Sequence, residues 1–352
     1  MPRVIPSRLL VALVALAAVG MSWWGGAPGA RADEEPPFGL ITDVGGAVVV
    51  EVDRHDAGPT LDRMIVAEPM RGYRLERVYT SHATSTWPSS DPLAGNQWNL
   101  DRIGLGSAWR YTTGSGVVVA IVDSPVNLGG SDGFCGPVGH PYDAQRNTTT
   151  LPPLNTEAPV GHGTHVAGTV AQCTDNGIGV AGIAPGASLM PVMVLDALGV
   201  GTSSDLRRGI DWAVDHGADV INLSLGASCT EPWPGCSDLL VDAALARAAA
   251  AGVLVVASSG NAASSFVSYP ANHPEVVAVG AVDASDGLWN PVAGVGSNGG
   301  TALDLVAPGA GILQETTSFG VFGYGLGEGA SMAAPHVSGA AALLWSIDPG
   351  LS

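Results

Sequence analysis

Lysine is absent from this chain. All 14 basic residues are arginine, against 32 acidic ones, for a formal net charge of −18 at pH 7 over 352 residues. So acidic a surface argues against nucleic acid and anionic membranes as partners and favours solubility. Charged residues are only 13% and aromatic ones 6%, whereas hydrophobic residues reach 46%, the composition of a globular core rather than of disorder. Cysteine is scarce too, at four residues. No C-x-x-C pair and no Cys/His set has zinc spacing, which sets aside a zinc-binding module. Nowhere is there an apolar run of the ~20 residues a membrane span needs.

What is present begins with an export signal. Arg3 and Arg8 precede an apolar run from Leu9 to Val19, and Ala30-Arg31-Ala32 fits an A-x-A cleavage site. The reading is a signal peptide over 1–32, export, and an oxidising destination. Four cysteines then read as two disulfides, with three connectivities open on counting alone. Cys229 and Cys236 bracket a loop and form the natural local pair, which leaves Cys135 with Cys173.

Behind the signal, residues 33–85 read as a small α/β unit, with strands at Ala47–Val52 and Tyr73–Tyr79 and a helix over Asp56–Glu68. A Ser/Thr/Pro-rich stretch, Ser81–Pro92, reads as an exposed tether. The position between signal and main domain suggests a propeptide released between 80 and 97; a permanent small domain is the alternative. Residues 86–352 alternate strands (Val117–Val122, Leu189–Leu195, Asp219–Leu223, Val253–Ala257, Val276–Val279, Leu303–Val306) with helices (His162–Gln172, Ser204–His216, Ser237–Ala251, Met332–Ile347). This alternation predicts an α/β fold: a mainly parallel central sheet with helices on both faces, in three layers, its site beyond the carboxyl ends of the strands.

Four polar residues stand at such places. Asp123 ends the first buried strand, where a carboxylate is fixed and able to orient a histidine. His162 opens a helix between glycines that allow close approach. Reading His162 and His165 as zinc ligands fails for want of an H-E-x-x-H pattern. Asn261 follows a strand through Ser258-Ser259-Gly260, where its amide could donate to an oxyanion. Ser331 stands at the start of a small-residue helix, whose free N–H groups favour an anion. Pro335, four residues into that helix, is compatible with first-turn N–H groups that need no partner. Gly177-Ile178-Gly179-Val180-Ala181-Gly182 fits G-x-G-x-x-G but follows a helix, so a dinucleotide site is discounted. Asn147-Thr148-Thr149 is a sequon that marks an exposed loop.

The order Asp, His, Ser and the segments Gly161-His162-Gly163-Thr164-His165-Val166-Ala167-Gly168, Asp219-Val220-Ile221-Asn222-Leu223-Ser224-Leu225-Gly226, Ser259-Gly260-Asn261, Leu305-Val306-Ala307-Pro308-Gly309 and Ser331-Met332-Ala333-Ala334-Pro335-His336 closely resemble the subtilisin-like serine peptidases. The resemblance spans Asp91 to Ser352. It implies a secreted serine endopeptidase made as a self-processing zymogen, acting on polypeptides as a monomer, with its own propeptide as inhibitor. Ser331 would be the nucleophile, His162 the general base, Asp123 its orienting carboxylate, and Asn261 with the Ser331 N–H the oxyanion hole. An extended peptide would lie between Gly199-Val200-Gly201 and Ser224-Leu225-Gly226, with Ser258-Ser259-Gly260 on the other wall of the first pocket. No acidic residue falls in these segments, which argues against strict selection for a basic side chain. Likeness to the thermitase branch implies a structural calcium ion on Asp91, Asn176 and the carbonyls of Cys173, Ile178 and Val180, completed by a carboxylate of the 124–160 loop such as Asp143.

Three features depart from the pattern. Pro125 stands where the family has glycine, and Ala330 where it has threonine. The sequence also stops where another helix normally begins. The first two keep open an alternative, a catalytically impaired binding or regulatory protein on the same scaffold. An α/β-hydrolase esterase is excluded by the lack of G-x-S-x-G around Ser331 and by the residue order.

Overall fold

The structure is a computed structural model that describes residues 89–151, 161–196, 198–318 and 321–351, with three strands ahead of them. Those strands, β1 (Phe38–Asp43), β2 (Val49–Asp53) and β3 (Tyr73–Glu76), form an antiparallel sheet in the order β2-β1-β3. Two were expected near these positions; β1 was not. The signal peptide and the helix expected over 56–68 lie outside the described residues, as does the tether up to residue 88.

Two short helices, α1 (Trp98–Arg102) and α2 (Leu105–Ala108), lead into the main sheet. Its seven strands are all parallel, in the order β10-β9-β8-β7-β4-β6-β5. They are β4 (Val118–Asp123), β5 (Tyr142–Asp143), β6 (Ser188–Met193), β7 (Val220–Leu223), β8 (Leu254–Ser258), β9 (Val276–Val282) and β10 (Leu305–Pro308). Val119, Ile121, Val256 and Val279 pack on one face with helices α3 (His162–Ala171) and α6 (Ala330–Ile347). Their neighbours Ala120, Val122, Val255 and Ala278 pack on the other with α4 (Ser203–Asp215) and α5 (Leu239–Ala250). Strand residues alternate between faces, so a strand apolar throughout must be covered on both, and these are. The expected three-layer architecture is what the chain forms.

Capping explains where the outer helices begin. Thr202 and Asp205 form a reciprocal capping box on α4, and the Asp238 carboxylate accepts the N–H groups of Leu240 and Val241 on α5. The hairpin β11 (Ile312–Ser318) and β12 (Val321–Gly327) was not expected. Its first strand carries Gln314, Glu315 and Thr316, polar in sequence yet 0–2% exposed. Glu315 is accommodated because the N–H groups of Asp132 and Gly133 and the Gln172 amide all donate to its carboxylate.

Candidate active site

Asp123 is the last residue of β4 and is fully buried. His162 is the first residue of α3, and Gly163 behind it lets the helix start press on the strand end. A Cβ on Gly163 would lie 2.3 Å from the Ser124 carbonyl oxygen. That approach brings His162 Nδ1 to 2.7 Å from Asp123 Oδ1, which also accepts the Ser124 N–H at 2.6 Å. The carboxylate therefore holds the ring with Nδ1 protonated and Nε2 turned outward. Burial pulls the pKa of His162 down, but the Asp123 charge and hydrogen bond more than offset this and hold it above the ordinary 6.5. His165, one turn on, points into the core: its Nε2–H donates to the carbonyls of Ile312 and Gly325, and burial pushes it down to about 4.

Ser331 is the second residue of α6, which begins at Ala330, two residues earlier than expected. Pro335 thus lies beyond the first turn, and its missing N–H is the one that Ser331's carbonyl would have accepted. The Ser224 hydroxyl supplies the missing donor at 2.7 Å. Ser224 itself accepts from the Asn222 amide, whose oxygen accepts the Ser338 hydroxyl, a buried polar chain that fixes the helix start from below.

Asn261 stands beside the same helix start. Its Oδ1 accepts the Ala330 N–H at 2.8 Å, and its Nδ2 has no hydrogen-bond partner among the described residues. Gly329, at φ +118°, leaves room for this; a Cβ there would lie 2.8 Å from Asn261 Nδ2. The turn is clamped by Asn298, which is 1% exposed. Its N–H donates to the Gly260 carbonyl, and its Oδ1 accepts the N–H groups of Ala262 and Ser264. Ala330 needs no hydroxyl to hold Asn261, since its own N–H does so.

A groove of about 790 Å³ runs from His162 between Gly199-Val200-Gly201 and Ser224-Leu225-Gly226. The structure thus places both expected edges on one groove. Ser258, Ser259 and Gly260 do not line it: Ser259 is fully buried with its hydroxyl on the Asn298 carbonyl, and Ser258 reaches the Leu225 carbonyl only at 3.4 Å. Sequence reasoning missed Asp238, which does line the groove and is held below the usual carboxylate range by the Ser203 hydroxyl. The segments read as the groove's walls hold no acidic residue, but Asp238 reaches the groove from the start of α5, outside them, and so weakens the inference against a basic side chain. Both disulfides, Cys135–Cys173 and Cys229–Cys236, are paired as expected, and Cys236 borders the groove.

Of the residues expected to hold calcium, Asp91 packs against the 173–180 loop that carries the others, and Asp143 does not. The Asp91 carboxylate accepts the N–H groups of Asp175, Asn176 and Gly177. The Asn176 amide and the Val180 N–H donate to Asp132, the 124–160 carboxylate that reaches this loop, whereas Asp143 pairs with Arg146. Spacing alone could not choose between these two acids. No group of three or more acidic, His or Cys ligands converges among the described residues, so a cation here would draw largely on carbonyls. Those of Cys173, Ile178 and Val180 accept no hydrogen bond among the described residues. Burial pushes Asp132 up to about 7, Glu315 and Asp91 adding to it against the Val180 and Asn176 bonds. An oxygen-only set around a buried, reluctant carboxylate fits a hard cation.

Comparison with known proteins agrees with this geometry. Residues 114–352 match the Subtilase family of peptidases. Subtilisin E of Bacillus subtilis is 37% identical over 318 residues, covering 88% of this chain and 76% of that protein. Subtilisin Savinase of Lederbergia lenta is 39% identical over 258 residues, covering 72% and 86%. A solved protease of Pseudoalteromonas arctica superposes with a TM-score of 0.63 at 31% identity, covering 74% of this chain and 88% of its own. A cold-adapted subtilisin-like serine proteinase gives 0.56 at 31%, covering 68% and 79%. The chain belongs to the subtilase family and is a subtilisin-like serine endopeptidase.

Proposed function

We propose that this peptidase is secreted as a self-processing zymogen and cleaves polypeptides through an acyl-enzyme on Ser331. The observation that carries the reading is the 2.7 Å contact between Asp123 Oδ1 and His162 Nδ1 at the head of the groove. His162 Nε2 takes the Ser331 hydroxyl proton as the oxygen attacks the scissile carbonyl, then returns it to the leaving amine. Asp123 stabilises the imidazolium formed in between. The carbonyl oxygen becomes an anion, stabilised by the Asn261 amide and the Ser331 N–H at the positive end of α6. Water then repeats the sequence and frees the acid. The substrate backbone pairs with the edges at Gly199-Val200-Gly201 and Ser224-Leu225-Gly226 as an added strand, which accounts for action within chains.

The N-terminal segment 33–85 would serve as the intramolecular inhibitor, and the stretch Leu9–Val19 with Ala30-Arg31-Ala32 as the export signal. A calcium ion would be held by Asp132, Asp91, Asn176 and the carbonyls of Cys173, Ile178 and Val180. It would neutralise the local negative charge and take no part in catalysis. A fluorophosphonate probe tests the catalytic assignment. Peptide mapping is expected to find one adduct, on Ser331; an adduct on another residue, or none on folded and processed enzyme, overturns it.

A further inference from the structure

We infer that Pro125 is a positioning residue of the catalytic pair. Having no N–H, it leaves Asp123 Oδ2 without a donor, so the carboxylate's charge is shared only between the Ser124 N–H and His162 and bears more strongly on the pH at which the base works. This rests on the reading of Asp123 and His162 as a working pair.

The two oxygens of Asp123 are unequally served. Oδ1 accepts both the Ser124 N–H and the His162 Nδ1–H, at 2.6 and 2.7 Å. Oδ2 is buried and has no hydrogen-bond partner among the described residues. An aspartate at a turn commonly receives the N–H of the residue two positions on. That residue is Pro125, the one type with no N–H to give. The Ser124 hydroxyl accepts the Gly163 N–H at 3.0 Å and makes no hydrogen bond to Asp123 Oδ2 among the described residues. Asp123 is fully buried, so bulk solvent does not reach that oxygen.

A carboxylate with one bare oxygen keeps its negative charge localised and is costly to leave without a positive neighbour. The neighbour that can become positive is His162. A second donor on Oδ2 would disperse that charge and weaken the hold on the imidazolium. Few other groups compete. From α3 itself, His165 is buried, neutral and committed to the Ile312 and Gly325 carbonyls. From β11, Glu315 is turned to Gly133 and Gln172, and Glu328, ahead of α6, faces the Trp289 indole at 3.4 Å. Asp238 borders the same groove from the start of α5.

The test is the pH profile of kcat/KM on a peptide anilide, measured with the processed enzyme and with Pro125→Ala and Pro125→Gly. The acid limb of the wild type is expected above 6.5, the ordinary histidine value. Both variants restore an N–H and are expected to lower that limb by about half a pH unit, the effect of one hydrogen bond to the charged form. The Nδ1 proton of protonated His162, seen far downfield by NMR, is expected to move upfield in both. A wild-type limb at or below 6.5 overturns the inference, and this readout needs no variant to fold. Unmoved limbs in active variants overturn it too, as does a shift in Pro125→Gly alone, which would trace to flexibility. A folded, processed wild type inert to both anilide and fluorophosphonate instead overturns the peptidase mechanism, and this inference with it.

Discussion

The Ser224 hydroxyl donates to the main-chain carbonyl of Ser331 at 2.7 Å, in place of the N–H that Pro335 lacks. One side chain lining the groove thus completes the helix that carries Ser331. Ser224→Ala leaves that carbonyl without its donor and is expected to lower stability by about 1–3 kcal/mol. Pro335→Ala supplies an N–H from within the helix and is expected to recover part of the loss. Urea unfolding of the two single variants and the double closes the cycle. Strictly additive effects would show that the two donors do not serve the same oxygen.

Asn261 makes two contacts with different consequences. Its oxygen accepts the Ala330 N–H, and its nitrogen, without a partner among the described residues, is the proposed donor to the substrate. Asn261→Ala is expected to lower kcat by roughly 10²–10³ with KM little changed, because the lost bond forms only in the transition state; that range was measured within this family. A loss confined to KM would mean that the amide merely binds ground-state substrate.

Acid stability should follow two histidines that take no part in the chemistry. Burial pushes both His165 and His336 down to about 4 in the folded chain, against 6.5 unfolded. The unfolded chain therefore binds more protons between these values. Their contribution is complete above pH 6.5 and is lost as pH falls towards 4. The urea midpoint is expected to drop across this interval, and His336→Gln to flatten part of the slope. A midpoint level from 6.5 to 4 would contradict the burial of both rings in neutral form.

Asp132 has the opposite sign. Its folded value of about 7 lies above the ordinary 3.8, so without a cation its protonated form favours the fold and stability falls as pH rises from 3.8 through 7. Calcium at pH 8 is expected to raise Tm by several degrees, and chelation to reverse this. Asp132→Asn is expected to raise Tm in chelator and to remove most of the response to calcium. A wild type indifferent to calcium at pH 8 would contradict the proposed site.

Much of this was legible in the residues because the physics was local. The apolar run 117–122 could only be a strand covered on both faces, and Asp123 and His162 stood where strand and helix ends meet. What escaped depended on contacts remote in sequence. Glu315 reads as surface until the N–H groups of 132 and 133 are brought to it, and β11 was missed for that reason. Asp238 enters the groove from the cap of a helix on the outer face. The helix carrying Ser331 was read as starting at Met332, because nothing near Pro335 reveals that Ser224, more than a hundred residues earlier, supplies the missing donor.

The central claim is that Ser331 is the nucleophile, and the most direct measurement compares the full-length chain with its Ser331→Ala variant. The wild type is expected to lose the mass of its N-terminal segment, with a cut between residues 80 and 97, and then to hydrolyse casein. The variant is expected to fold, to keep its full mass and to leave casein intact. Processing and casein hydrolysis by Ser331→Ala at the wild-type rate would contradict the account.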